Sequence, residues 1–439
     1  MSSEQLIRRS SYGRNSPQVR ERGARTRQRI LDETLLLFEE RGYYGTLVDD
    51  IAKRSGVSRA TLYQYFESKE GIFRELLEEC GGALTRVLRR LGPLGPTEQG
   101  FDNLHWWLGE WAWVYDKYAT MFAQWTQVAR SGPLRETIHG FVGTHGGKMA
   151  QRLLASGVTG INPQHTATIL IIMVNRFHDY RRRGLLRPLT DEQAIDSLAV
   201  AVQLMLFPDT PSEVLNSIGI EEPDRPSPRE GGSGDGPLPP DRFEGMGARA
   251  RTTAGRLLDA ACEIFADNGY HTSTIDDVVT KAGVARGTFY KYFEDKTDLL
   301  RALTEQAYRE APELLARFAE LRPGSGLDDQ LRAWLRAYEP WRRRYIGIVR
   351  VWIERQSAEN RLERIGVRLA LTVATTFQGV LARVERDYPF SETVGVVIIP
   401  AILERVLDGM PLDMSGEEYE EVLDLMAALI ERGLLNGRV

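Results

Sequence analysis

The sequence has little cysteine, and what it has is not arranged for cross-linking or metal binding. Cys80 and Cys262 lie far apart and have no CxxC or Cys/His companions. A disulfide framework or a structural zinc site is therefore not expected. Cys262 falls on an apolar helical face, which favours packing in a core over redox sensing.

Long hydrophobic runs are also absent. No uninterrupted apolar stretch reaches the roughly 18 residues needed to cross a bilayer. The most apolar stretch, Val394 to Leu403, lies between Glu392 and Glu404 and predicts a buried helix. The N-terminus lacks the apolar core of a secretion signal, so we expect a cytoplasmic protein. With 42% apolar and 27% charged residues in 439, the composition is typical of a soluble protein with several domains.

Signatures of catalysis are missing as well. The six histidines are scattered, and neither HExxH nor GxSxG occurs. The GGSGDG segment at 231–236 superficially resembles a phosphate loop, but no strand pattern precedes it and no helical pattern follows it. We therefore expect no enzyme, no cofactor and no metal site, and an enzyme built on a helical domain is the least favoured alternative.

The net charge of −5 argues against a wholly basic nucleic-acid coat, but the charge is unevenly distributed. Residues 1–29 carry eight arginines against two glutamates. A basic arm ahead of a folded domain suits contact with a phosphate backbone. It is equally consistent with a solvated tail, and the sequence leaves both interpretations open.

An internal repeat dominates the sequence. Residues 29–69 align without a gap on 256–296, a shift of 227, and 17 of the 41 positions are identical. The same shift pairs Trp107 with Trp334 and Tyr118 with Tyr345 much further along the chain. The duplicated unit therefore contains more than its N-terminal motif.

Each copy begins with the same helical pattern. Apolar residues at helical spacing predict a first helix from about Thr26 to Arg41, and Gly42 supplies its end. A short second helix is predicted to start near Thr46 in copy one and near Thr274 in copy two, with Asp49 and Asp277 completing capping boxes.

A glycine turn then separates the second helix from a third. Gly56 and Gly283 suit the positive φ of such a turn. The third helices run over 59–66 and 286–293. Ser58 is a natural N-cap for the first of these, whereas Ala285 lacks the necessary oxygen. When two short helices are joined in this way, the second of the pair can be presented to the major groove of DNA as a recognition helix.

The third helices carry an unusual set of outward residues. Leu62 and Phe66 share a face and should point into a core, which leaves two tyrosines towards solvent. Tyrosines in a Tyr-x-Tyr-Phe cluster are also common in cores. Their occurrence in the same register in both copies favours phosphate and base-edge contacts instead.

The stretches GVSRATLYQYFESKEGIF (56–73) and GVARGTFYKYFEDKTDLL (283–300), each preceded by a helix ending in FxxxGY, resemble the TetR/AcrR family of bacterial regulators. The resemblance covers about 45 residues in each copy and implies an all-α fold. Two tandem units would each combine a helix-turn-helix head with a helical ligand-binding and dimerisation bundle. The residues it implies as DNA contacts are Arg59, Thr61, Tyr63, Gln64, Tyr65, Lys69, Arg286, Thr288, Tyr290, Lys291, Tyr292 and Lys296.

The predicted domain organisation follows from the repeat and from composition. The segment between the copies is rich in Pro and Gly, is acidic and has no apolar periodicity, which is typical of a linker. The predicted segments are a basic arm (1–22), a first DNA-binding domain (23–71), a first sensor and dimerisation domain (72–220), a linker (221–247), a second DNA-binding domain (248–298) and a second sensor and dimerisation domain (299–439).

The resemblance implies double-stranded operator DNA as the partner, and ligand-responsive repression as the default activity. The family ordinarily pairs two chains, whereas this chain supplies both halves. We expect a monomeric pseudo-dimer on an imperfect palindrome, with a homodimer bearing four heads as the competing arrangement. Since Lys291 replaces Gln64 and Gly287 replaces Ala60, the half-sites are free to differ. A helical adaptor that no longer binds DNA is a further alternative.

Aromatic residues mark the sensor regions. Stripes at helical spacing are usually core, and the repeat-matched pairs are the best candidates for that role. The unmatched residues Trp106, Trp113 and Phe122 are the better candidates for the wall of a pocket that binds a small, largely apolar effector. The candidate effector-binding residues are Trp106, Trp111, Trp113, Phe122, Trp125, Tyr338 and Trp352. The effector would shift the population away from the DNA-matched conformation.

Overall fold

A computed structural model describes residues 20–128, 134–219, 241–354, 360–409 and 415–437. Within these ranges the chain is helical and contains no strand, as the all-α prediction requires. The chain divides into two compact units, one formed by Met1–Leu91 with Gly109–Lys148 and the other by Gly92–Leu108 with Met149–Val439. No helix in the described ranges is both long and apolar enough to span a membrane.

The first copy contains eight helices and a short ninth within the described residues. The first three helices form what we call the first head, and the remaining helices follow it along the chain. Their bounds are α1 Arg20–Gly45, α2 Val48–Arg54, α3 Arg59–Tyr65, α4 Lys69–Arg90, α5 Glu98–Val128, α6 Arg135–Ala155, α7 Pro163–Arg182, α8 Asp191–Leu206 and α9 Ser212–Leu215.

The second copy repeats this order, and α10 to α12 form the second head. Its helices are α10 Ala248–Asn268, α11 Ile275–Ala282, α12 Arg286–Phe289, α13 Lys296–Ala319, α14 Leu327–Glu354, α15 Asn360–Leu381, α16 Glu392–Gly409 and α17 Gly416–Ile430, followed by a π-helical turn over Glu431–Leu435. The shift of 227 that carries Lys69 to Lys296 also brings α4 to α8 within a few residues of α13 to α17. The duplication therefore includes the helices after the heads.

Glycine interrupts the first helix of each head near the predicted point: Gly42 kinks α1 three residues before its last residue, Gly45, and Gly269 caps the end of α10. Gly42 has φ 72° and Gly269 has φ 80°, in the left-handed region where a side chain would be strained. The predicted capping box is confirmed in the second copy, where Thr274 and Asp277 cap α11 reciprocally. In the first copy it is wrong: Leu47 occupies the cap position, and the buried Thr46 hydroxyl donates to the carbonyl of Gly42 instead.

The second head packs closely on α14. Tyr345, Ile348 and Val351 of α14 join the buried core of α10, α11 and α13. Gly347 lies where the backbones meet, because a Cβ there would be 2.6 Å from the Phe265 carbonyl carbon. Arg350 Nη1 donates to the Ala266 carbonyl at 2.9 Å beside it.

Helices from the two copies pair with each other within one chain. The α7 helix packs on α16, and α8 packs on α17 and the π-helical turn. Both α8 and α17 are largely buried, and the Ser391 amide donates to the Ser197 hydroxyl at 3.2 Å. At Gly433 a Cβ would lie 2.9 Å from the Ala201 carbonyl, so the backbones approach closely. These contacts join helices of the two copies within the second compact unit.

The segment predicted as a linker has two parts in the structure. Residues 220–240 lie outside the described ranges. Within 241–247, Arg242 Nη2 lies 3.0 Å from a carboxylate oxygen of the buried Asp298, and the Phe243 ring contacts Phe293 edge-on at 6.2 Å. These last residues therefore pack on the second head. The basic arm is described only from Arg20 onward, where it continues α1.

Candidate nucleic-acid interface

The turn between the second and third helices has the predicted geometry in both heads. Gly56 has φ 63° and Gly283 has φ 64°. The amides of the following valines close the turn, with Val57 donating to Ala52 at 3.0 Å and Val284 to Val279 at 3.0 Å. The third helix of each head is therefore held at one defined angle to the second.

The inward face of the third helices is apolar and fully covered. Leu62 is 0% and Phe66 4% exposed in the first head, and Phe289 is 0% and Phe293 1% exposed in the second. These side chains fix which residues of the helix can face outward, because helical neighbours three and four residues apart share a side.

The outward face carries the predicted DNA-contact residues in the same pattern twice. Arg59, Tyr63 and Gln64 are exposed, as are their counterparts Arg286, Tyr290 and Lys291. Tyr63 is 42% and Tyr290 50% exposed, so both phenol groups are accessible from solvent. Half-buried side chains flank this surface, namely Thr61, Tyr65, Thr288 and Tyr292.

An aspartate on the preceding helix holds the leading arginine of each surface. Arg59 Nη1 lies 3.2 Å from Asp49, and Arg286 Nη1 lies 2.7 Å from Asp276. The phenol of Tyr63 and the Asp49 carboxylate raise the pKa of Arg59, and Tyr290 and Asp276 do the same for Arg286. These pairs are exposed, so they orient the guanidinium without contributing much stability.

Sequence reasoning missed this use of the aspartates, having assigned Asp49 to a helix cap. The available signal was their identity in both copies at a fixed distance from an arginine that is also identical. A carboxylate beside a guanidinium leaves part of the donor fork free for a base or phosphate.

The lysines at the start of the fourth helices are engaged with the protein. Lys69 Nζ donates to the Tyr43 and Thr46 carbonyls at 2.7 and 2.9 Å, and Lys296 Nζ donates to the Tyr270 and Ser273 carbonyls at 2.8 Å each. Burial lowers the pKa of both ammonium groups. Two of the three N–H donors of each lysine thus secure the end of the first helix.

The predicted effector-binding residues fall in both units. Trp111, Trp113 and Phe122 belong to the first unit, whereas Trp106, Tyr338 and Trp352 belong to the second. Two of them have clearly different surroundings. Trp113 is 62% exposed, with Lys117 Nζ 5.9 Å from its ring, so it lies on the surface of its unit. Trp352 packs against the core of the second head, and its Nε1 donates to Thr304 at 3.2 Å.

The other candidates are buried or stacked. Phe122 is 7% exposed and stacks on Tyr115 at 4.8 Å, and Trp111 is 5% exposed. Tyr338 stacks on Trp334 at 5.1 Å, and Trp106 is half-buried. The side chain of Trp125 lies outside the described residues. The matched pair Trp107 and Trp334 is buried, as expected for core residues.

In each head a positive-φ glycine joins the short second helix to the short third helix, whose outward face is polar. This arrangement defines the helix-turn-helix class of protein. The family model described as "Bacterial regulatory proteins, tetR family" matches residues 30–76 and again residues 257–303. Each head therefore matches the TetR family, and the two matches are separated by the repeat shift of 227.

Curated relatives support the same placement. The biofilm operon icaADBC HTH-type negative transcriptional regulator IcaR of Staphylococcus aureus (strain Newman) is 30% identical over 99 residues, covering 22% of this chain and 52% of the relative. The protein of the same name in Staphylococcus epidermidis is 41% identical over 54 residues, covering 12% of this chain and 29% of the relative. The matches thus span about half the length of the S. aureus relative and less of the other.

Proposed function

We propose that the chain is a transcriptional regulator that binds double-stranded DNA with both of its heads. The observation that carries this proposal is the duplicated outward surface of the third helices. An arginine, an exposed tyrosine and a further polar side chain occupy the same positions on α3 and on the α12 segment. Placed in a major groove, such a surface reaches base edges and the adjoining phosphates.

Roles for the individual residues follow from their donors and acceptors. Arg59 and Arg286 would each pair with O6 and N7 of a guanine, and Gln64 would pair with an adenine edge. Lys291, at the position of Gln64, would favour guanine or a phosphate. Lys69 and Lys296 each have a third N–H to offer a phosphate, and the tyrosine hydroxyls would bond other phosphates.

One chain would occupy one operator in this proposal. The pairing of α7 with α16 and of α8 with α17 joins the two copies as a dimer interface joins two chains. Both heads would then bind successive grooves of one duplex about 34 Å apart. Because the two reading surfaces differ at Gln64 and Lys291, the operator would be an imperfect palindrome.

Regulation by a small, largely apolar effector completes the proposal. The effector would favour a conformation in which the heads no longer fit the groove spacing. The IcaR relatives are negative transcriptional regulators by name, which supports repression as the direction of control. Release of bound duplex during titration with a panel of planar apolar compounds would test this step.

The DNA-binding proposal is tested with duplexes selected by the full chain from a random library. Arg59→Ala and Arg286→Ala should each weaken binding about 10- to 100-fold, the worth of a bidentate arginine–guanine pair. Arg317→Ala is the matched control, because Arg317 is an exposed arginine of α13 paired only with its helical neighbour Glu313 among the contacts described. Affinity should also fall steeply as salt rises.

Measurements on the same protein–DNA complexes give the number of chains per duplex and can also refute the proposal. Mass measurement should find one chain per duplex, and two chains per duplex would favour the four-headed arrangement. Failure to select any duplex, or equal affinity of the Arg59→Ala, Arg286→Ala and Arg317→Ala variants, would refute DNA reading by these surfaces.

A further inference from the structure

The two third helices are equivalent in sequence position but are not equally complete. In the first head α3 spans seven residues, Arg59–Tyr65. In the second head α12 spans four, Arg286–Phe289, and the chain continues as a turn. The residues that follow α12 include Tyr290 and Lys291, which belong to the proposed reading surface.

The hydrogen bonds at the N-terminus show where the difference begins. In the first head the Ser58 hydroxyl accepts from the Thr61 amide at 3.0 Å, and Leu62 donates to the Ser58 carbonyl at 2.9 Å. In the second head Ala285 has no side-chain oxygen, and the Thr288 amide bonds the Ala285 carbonyl at 2.8 Å instead. That is a three-residue turn, with poorer geometry than an α-helical turn.

The same tightening continues at the other end. Lys291 donates to Thr288 at 3.2 Å and Tyr292 to Phe289 at 2.9 Å, both three residues back. One bond at this end is common to the two heads, because Phe293 donates to Phe289 at 3.0 Å as Phe66 donates to Leu62 at 3.0 Å, each four residues back. The second head thus has three-residue bonds at both ends of α12, while the bond that it shares with the first head is made by the buried phenylalanine that follows.

A glycine adds to this effect without any packing reason. Gly287 stands where the first head has Ala60, and a Cβ built at Gly287 would meet no atom within 4 Å. Nothing in the surroundings requires glycine at this position. Its remaining consequence is conformational freedom, which opposes helix formation.

We propose that the second reading helix is incomplete in the free protein and finishes folding when it enters the groove, whereas the first is already formed. This inference rests on the proposed DNA-binding function. The first head would then anchor the chain on its half-site. The second would read its half-site by a coupled folding step that spends part of its contact energy on ordering residues 290–293.

The test begins with hydrogen exchange in the free, full-length protein. A missing cap and a glycine for an alanine each lower helix population about fivefold, or about 25-fold together. Amides of 288–293 should therefore exchange about 25-fold faster than those of 61–66. Equal rates in the two segments would overturn the proposal.

Reciprocal variants isolate the cause. Ala285→Ser with Gly287→Ala should slow exchange in 288–293 about 25-fold, and Ser58→Ala with Ala60→Gly should speed it in 61–66 by a similar factor. Gly255→Ala in α10 is the matched control, because its Cβ would also meet no atom within 4 Å. It should leave 288–293 unchanged, and slowing there equal to that of the double variant would contradict a local cause.

A duplex selected by the full chain from a random library provides the second arm. Its binding should protect 288–293 by a much larger factor than 61–66, and the Ala285→Ser/Gly287→Ala variant should bind it more tightly. Equal protection with unchanged affinity would overturn the folding step. If no duplex is selected, the DNA-binding function and the folding step both fail, while exchange in the free protein still decides whether the helices differ.

Discussion

Replacing Gly347 by alanine would test how firmly the second head is held against α14. An alanine Cβ would lie 2.6 Å from the Phe265 carbonyl carbon and from the Ala266 amide nitrogen. Both are backbone atoms, so no side chain can turn aside and the helices must separate. The bond from Arg350 to the Ala266 carbonyl at 2.9 Å, and that from Arg344 to Asp259 at 2.5 Å, would lengthen with them.

The expected loss follows from opposing terms. Alanine is about 1 kcal/mol more favourable than glycine within a helix. Overpacking of a closely fitted contact costs about 1–3 kcal/mol, and each weakened hydrogen bond adds up to about 1 kcal/mol. We therefore expect Gly347→Ala to destabilise the contact between α10 and α14 by about 1–3 kcal/mol, despite its better helix propensity.

Local hydrogen exchange is the appropriate assay, because a chain of several units need not unfold in one step. Amides of α10 should exchange about 5- to 150-fold faster in the variant, the factor that corresponds to that loss. Gly379→Ala in α15 is the matched control, since its Cβ would meet no atom within 4 Å and should stabilise its helix. If Gly347→Ala stabilised α10 as the control stabilises α15, the reasoning from close approach would be refuted.

Two further predictions concern buried titratable groups. Burial, together with the charge of Arg181, lowers the pKa of His178 from 6.5 to about 3. The unfolded chain therefore takes up a proton below pH 6.5 that the fold does not. The free energy of unfolding, measured by urea titration, should fall by about 2 kcal/mol from pH 6.5 to pH 5. If the His178→Gln variant lost as much stability over the same pH range, the prediction would be wrong. Burial also raises the pKa of the Cys262 thiol to about 12 and that of the Cys80 thiol higher still. Neither cysteine should therefore react with a thiol reagent at pH 8 until denaturant is added. Rapid labelling of the native protein would contradict this prediction.

Local signals in the sequence predicted the heads well. Gly42, Gly56 and Gly283 adopt the positive φ that their positions in the pattern indicated. The contrast between Ser58 and Ala285 also appears in the structure, as a capped helix and an uncapped one. These features depend on a few consecutive residues, so composition and spacing are sufficient to predict them.

Features that depend on distant residues could not be predicted in this way. The buried Thr46 hydroxyl donates to the Gly42 carbonyl near the end of α1, so the N-cap of α2 falls on Leu47 instead. Trp352 belongs to the core of the second head because α14 crosses α10 at Gly347. Apolar periodicity identifies a helical face as buried, but it does not identify the helix that covers that face.

Because helices from the two copies pair within one chain, the contact between them does not have to be symmetric. In a two-fold dimer each contact occurs twice, so one mutation alters both. Here the bond between Ser197 and Ser391 occurs once, because the repeat places Asp424 and Gln164 at the equivalent positions. A mutation on either side of this contact therefore changes one copy without changing the other. A covalently joined pair also cannot exchange halves with a related regulator in the same cell.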